Sequence, residues 1–290
     1  MASRSDPAHN SPMGVPPDDL RLAPDEDDLP IALGPVRAQP PRLDGLGGRA
    51  VVRDTPDELV DAIAADLRFQ AISCARAWGE FHLVLAAARE LEPLYRRLMY
   101  DPPLRDIPWD RTHIWVASED AGGSSARSLG ELIVEHADLP ASHFHGFAIG
   151  LPNAAADYER ELMRSLMQRE SGHHRPDMAL LAVREHAPLH APVHASLHLS
   201  SGDGLAGLGA EPGEPAFAIT TRCVRGARLV SILCTGAQRG AAIASSRARG
   251  GVAPLAAELR WYLDAPAAEG AAAVLDAGSA SSPGDARGSR

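Results

Sequence analysis

The feature that most constrains this chain is a series of short, predominantly apolar runs separated by helix-length stretches. Phe81-His82-Leu83-Val84-Leu85, His113-Ile114-Trp115-Val116-Ala117, Met178-Ala179-Leu180-Leu181-Ala182-Val183 and Leu229-Val230-Ser231-Ile232-Leu233-Cys234 are of strand length and show no polar alternation. Strands of that kind are buried on both faces, which is the habit of a parallel sheet. Between and beyond them, 55–77, Pro93–Met99, Ser125–His136, Ala154–Gln168 and the stretch opened by Gly236 through Ala242 are expected to be helical. The alternation predicts an α/β fold of three layers, helix, mostly parallel sheet and helix. Residues 216–221 are the expected partner strand of the run at Leu229.

One helix start is legible residue by residue. Thr55 suits the N-cap, Pro56 the first helical position, and Glu58, three residues after the cap, completes a capping box. Leu59, Ile63 and Leu67 then recur on one face.

The ends differ from the middle. Residues 1–48 are crowded with Pro, Asp, Gly and Arg, and 267–290 are dominated by Ala, Gly, Ser and Pro. Neither shows an apolar period, so both are expected to be disordered, leaving 49–266 as one domain. The formal net charge is −10, which argues against nucleic acid or an anionic membrane surface as a partner. The chain contains no lysine, so all 28 basic residues are arginine. Any anion site must then use Arg, His or backbone N–H groups. Cys74, Cys223 and Cys234 form no CxxC pair and suit a reduced core. With no signal-like N-terminus and no apolar run approaching about 18 residues, the expected location is the cytoplasm.

Ligands of open parallel sheets bind beyond the carboxyl ends of the strands. Leu85 to Tyr95 follows the first run, Ser118-Glu119-Asp120 and Ser124-Ser125 the second, the histidine-rich EHAPLHAPVHASLHL the third, and Thr235-Gly236-Ala237-Gln238-Arg239 the fourth. In this order, with Val224 to Gly240 and Trp261-Tyr262-Leu263-Asp264, they resemble the 6-phosphogluconolactonase family, related to the glucosamine-6-phosphate isomerases. The resemblance spans most of 51–268 and implies a Rossmann-like, isomerase/CoA-transferase-like fold. It also implies hydrolysis of 6-phospho-D-glucono-1,5-lactone to 6-phosphogluconate in the pentose phosphate pathway, with a sugar phosphate as ligand and no metal or cofactor.

The functional motifs of that family are altered here. Its phosphate loop, LSGGSTPxxLY, falls on Leu85 to Tyr95, with both glycines replaced by Ala87 and Ala88 and Ser-Thr-Pro by Arg89-Glu90-Leu91. Alanines there predict helix or a tight helical turn from Ala86 to Glu90, without N–H groups converging on an anion. The GDER motif falls on Ala117 to Asp120 and keeps only Glu119. The family arginine ahead of the late strand falls on Ala218, with Arg222 close enough to substitute, and the phosphate-binding lysine falls on Arg239. The loop carrying the general base is longer and places His194 one residue late.

The resemblance thus implies His194 as base, Glu119 as an orienting carboxylate, and Arg239, Arg222 and Arg89 as phosphate ligands. The competing expectation is a catalytically degenerate homologue that binds a sugar phosphate or a protein partner. The repeat His186, His190, His194 and His198 is not expected to form a metal site. Pro188 and Pro192 break any helix, and extended residues four apart lie about 12–13 Å from one another. The segment 184–200 is expected to be a surface loop.

Overall fold

The computed structural model describes residues 43–168, 175–185, 193–200, 203–208, 216–248 and 258–280. Its strands are β1 (Arg49–Arg53), β2 (Phe81–Leu85), β3 (Thr112–Val116), β4 (Ser118–Glu119), β5 (Phe144–His145), β6 (Met178–Ala182), β7 (Ala206–Leu208), β8 (Phe217–Ile219), β9 (Leu229–Cys234) and β10 (Glu258–Asp264). Its helices are α1 (Pro56–Trp78), α2 (Glu92–Tyr100), α3 (Ser124–Leu129), α4 (Ala154–Met167), α5 (Val193–Ser196), α6 (Thr221–Gly226), α7 (Ala237–Ala248) and α8 (Ala265–Ala280).

Seven strands form one sheet in the order β1-β10-β9-β6-β2-β3-β5, and every pairing in it is parallel. Strand alternation divides its side chains between two cores. Leu83, Leu85, Ile114 and Val116 pack with Leu59, Ile63 and Leu67 of α1, Leu94 and Leu98 of α2 and Leu129 of α3. Val84 and Trp115 face the other way, onto Tyr158 and Leu162 of α4, Ile243 of α7 and Ala267 and Ala271 of α8. This is the three-layer α/β/α arrangement that the unalternating runs predict. No described helix is long and apolar enough to cross a membrane.

The helix start at Thr55 is realised in full. The Thr55 side chain accepts from the Glu58 N–H, and the Glu58 carboxylate accepts from the Thr55 N–H. Gly79, in the left-handed region, ends the helix with its N–H on the Ala75 carbonyl.

Three expectations need correction. Residues 217–219 do not join β9. They form β8, the centre of a separate three-stranded antiparallel sheet, β4-β8-β7. The ordered domain also begins before 49, because Leu43 and Leu46 are buried in the core.

At the other end, helix α8 runs through 267–280, a stretch read as disordered from its composition. Its small residues are a packing surface: a Cβ on Gly270 would lie 2.1 Å from the Ala237 carbonyl oxygen, and one on Gly240 would lie 1.9 Å from that of Ala267. Helices α7 and α8 therefore meet backbone to backbone, and the absence of side chains is what lets them. Residues 1–42 and 281–290 lie outside the described residues.

Candidate functional site

β9, β6 and β2 are neighbours in the sheet, so the segments leaving their carboxyl ends converge. After β2 the chain does not enter a helix at once. Ala86 donates to the Leu180 carbonyl of β6, and Ala88 is extended at φ −94°, ψ 138°. A 3-10 turn follows at Arg89–Leu91 and leads into α2. The helical turn thus starts three residues later than the sequence implied. Neither alanine has positive φ.

The turn aims Glu90 across the end of the sheet. Its carboxylate accepts from Arg239 Nη2 at 2.6 Å, and both side chains are largely buried. Arg239 Nη1 donates to the Thr235 hydroxyl at 2.7 Å and to the Thr235 carbonyl at 3.2 Å. The guanidinium in the first turn of α7 is already partnered by a carboxylate of the chain itself. Beside it, Gly236 takes φ +85° in the strand-to-helix turn, and its N–H donates to the Asp264 carboxylate. A second acidic side chain thus occupies one of the backbone donors that an incoming anion could use at this helix start.

The remaining candidates are dispersed. Arg222, exposed on α6, donates to the Asp203 carbonyl at 2.7 Å, and Arg89 is exposed on the 3-10 turn. Glu119 is 1% exposed, and its oxygens accept from the N–H groups of Asp120 (3.1 Å), Ser125 (2.7 Å) and Ala126 (2.8 Å). It caps the start of α3 with a carboxylate, the charge the helix dipole favours there. Asp120 assists, accepting from Gly122 and from the Ser124 hydroxyl and N–H. Those contacts, the Ser124 side chain first, hold its carboxyl below the usual range.

His194 lies in α5, but its side chain is outside the described residues, as are the placements of His186 and His190. Of the surface loop expected at 184–200, the described part contains this short helix and the buried residues Ser196, Leu197 and Leu199.

His198, the last member of the repeat, has a backbone that its sequence does not announce. Among the described residues it is the one non-glycine with positive φ, at 54°, a conformation an unbranched L-residue adopts only at some cost. Burial pushes its imidazole down to about 4, with the Arg184 charge adding to the effect. Burial likewise brings His145 to about 4, against the opposing pull of Glu161. In the unfolded chain a histidine titrates near 6.5. Protons therefore favour the unfolded state, and stability is lost as pH falls from about 6.5 toward about 4. The urea midpoint should drop over that interval, and drop less in His198→Asn, whose side chain tolerates the left-handed region and does not titrate. An equal drop in both proteins would show that His198 is not a source of the effect.

Residues 54–259 match the family described as glucosamine-6-phosphate isomerases/6-phosphogluconolactonase. Among curated proteins, the GDH/6PGL endoplasmic bifunctional proteins of Homo sapiens and Oryctolagus cuniculus are 25% and 24% identical over 246 and 228 residues. Those matches take in 74% and 72% of this chain but 30% and 28% of the relatives, so the chain spans less than a third of their length.

Two solved structures share the fold. A 6-phosphogluconolactonase from Thermotoga maritima superposes with a TM-score of 0.58 at 20% identity, covering 74% of this chain and all of that one (100%). The 6-phosphogluconolactonase from Trypanosoma cruzi gives 0.60 at 14% identity, covering 77% and 97%. The family match extends from the capping box before α1 to the start of β10, across the whole end of the sheet where Glu90 and Arg239 meet, and on that ground the chain belongs to the glucosamine-6-phosphate isomerase/6-phosphogluconolactonase family.

Proposed function

We propose that this chain is a catalytically degenerate member of its family, with the phosphate-binding arginine closed off by its own carboxylate and 6-phosphogluconolactone hydrolysed slowly or not at all. The observation that carries this reading is the Glu90–Arg239 ion pair. A substrate phosphate seeking Arg239 must displace a carboxylate that is covalently part of the protein and already in place. Phosphate binding of that kind holds a substrate for reaction, and losing it reduces turnover as well as affinity. The Glu119 carboxylate supports the same reading, because three backbone N–H groups already hold it at the start of α3.

The test has two arms. Lactone hydrolysis by purified protein is expected to stay close to the spontaneous rate. Thermal shift with 6-phosphogluconate should be negligible for the wild type, while Glu90→Thr frees Arg239 and strengthens binding at least about tenfold, or about 1.4 kcal/mol. Adding Arg239→Ala should abolish the gain. Turnover far above background that His194→Ala removes would sink the proposal and establish His194 as the family base.

A further inference from the structure

Four histidine rings form a layer near the amino-terminal ends of β2 and β3, at the other end of the strands from Glu90 and Arg239. His82 and His113 are register partners, and their rings stack at 4.6 Å with 6° between planes. His143, which closes the 3-10 turn Ala141–His143, stacks on His113 at 3.9 Å. His145 of β5 stacks on Trp115 at 3.7 Å, and its Nε2 lies 3.1 Å from His113 Nδ1. β5 is the last strand of the sheet and pairs with β3 through two residues. Both neighbours of Phe144 at this edge are thus held through imidazole rings. Among the described residues, the charged groups facing the layer are Glu80, Glu161 and Asp177. Glu80 lies 3.0 Å from His82 Nε2 and 3.5 Å from His113 Nε2. Glu161 of α4 lies 2.8 Å from His145 Nδ1, and Asp177, just before β6, accepts from the His82 backbone N–H.

Hydrogen-bond chemistry limits how many protons this layer holds. An indole N–H only donates, and Trp115 Nε1 donates to His82 Nδ1 at 3.1 Å. That nitrogen must stay bare, because a proton there would set two donors face to face. The contact of His113 Nδ1 with His145 Nε2 is restricted in the same way. The Glu161 carboxylate takes the N–H of His145 Nδ1, so neutral His145 accepts at Nε2 and His113 donates. A first added proton fits without rearrangement: on His113 Nε2 it faces the Glu80 carboxylate. A second, on His145 Nε2, points at the His113 N–H across the same 3.1 Å and adds one imidazolium charge to another. Burial acts in the same direction, lowering His145 to about 4 against the pull of Glu161 and lowering His143, with His113 adding to the effect there.

We propose that the histidine layer is an acid-sensitive latch: with one added proton at most it clamps β5 and the preceding 3-10 turn onto β3, and further protonation releases that edge of the sheet. Histidines freed from these contacts titrate near 6.5, so the open layer takes up protons that the closed layer refuses. Acid therefore favours the open form, and the edge loosens as pH falls below about 6.5. Two protons are refused, one at the indole contact of His82 and one at the contact of His113 with His145. Each raises the open population about tenfold between about pH 7.5 and about pH 5.5. β6 and β9 contain no histidine and keep their pairing.

Amide hydrogen exchange of the full chain, corrected for the intrinsic pH dependence of exchange, tests the latch. Peptides covering 141–147 should exchange about a hundredfold faster at about pH 5.5 than at about pH 7.5, while those covering β6 and β9 change far less. His145→Phe keeps a ring on Trp115 without a proton site and should leave about a tenfold rise. His113→Gln, whose amide can still donate to His145, should do the same, and it decides the matter if His145→Phe fails to fold. His82→Gln retains an acceptor for the indole and should remove the other tenfold, so that His82→Gln combined with His113→Gln gives a flat profile. No acceleration at 141–147 in the wild type, an acceleration shared equally by β6 and β9, or a full wild-type response in His113→Gln would each overturn the proposal.

Discussion

Gly270→Ala should cost about 3 kcal/mol of unfolding free energy, at the upper end of what overpacking a core usually costs. Gly240→Ala should cost about as much. In each case the new methyl group meets backbone atoms at about 2 Å, the Ala237 carbonyl or the Ala267 carbonyl. Backbone cannot rotate aside as a side-chain tip does, so α7 and α8 must separate. Separation opens the core that Ala242, Ile243 and Ala244 share with Ala267, Ala268 and Ala271, all at most 1% exposed. The gain in helix propensity from Gly to Ala, at most about 1 kcal/mol, runs the other way and does not offset it. Gly278→Ala, in the same helix but with nothing within 4 Å of its Cβ, should be neutral or slightly stabilising. Urea unfolding of the three variants checks this. A wild-type midpoint for Gly270→Ala would contradict the close crossing.

The same helix shows what the sequence could and could not convey. Burial on both faces leaves a plain signature, and four of the strands in the parallel sheet were legible from their unalternating runs. The Thr55 capping box is local chemistry and was legible for the same reason. An Ala/Gly helix packed backbone to backbone has no large apolar side chains to mark its buried face, so α8 looked like low-complexity tail. β8 has the composition of a core strand, and nothing local records that it pairs antiparallel with Ser118-Glu119 rather than parallel with β9.

The site divides in the same way. Ala87, Ala88 and Glu90 after the first apolar run are visible in the chain, but the closure of Glu90 on Arg239 joins residues 149 positions apart and requires the sheet to exist. The histidine repeat of 186–198 drew attention because it is regular. His82, His113 and His145 carry no such pattern, being brought together from three strands by register.

Glu119→Ala should cost about 3–4 kcal/mol in the absence of any ligand, because it removes one acceptor group from three backbone donors in a setting where the carboxylate is 1% exposed. Hydrogen bonds to a charged group contribute about 1.5–3 kcal/mol each, and a buried donor left unmade costs about 1–3 kcal/mol. The sum is reduced by water entering the space and by fraying of α3, since that helix start lies near the surface. Glu119→Gln should lose about half as much. One amide oxygen can still accept, but the NH2 group turns a donor toward backbone N–H groups.

Turnover and stability respond differently to the two roles this residue could have. A carboxylate that orients a reacting group leaves folding intact when changed to Gln and shows its loss only in kcat. One that caps a helix lowers the urea midpoint of the free protein before any substrate is added. Glu119→Gln that unfolds like the wild type would return Glu119 to the list of catalytic candidates. The destabilisation expected here instead ties Glu119 to the folding of α3.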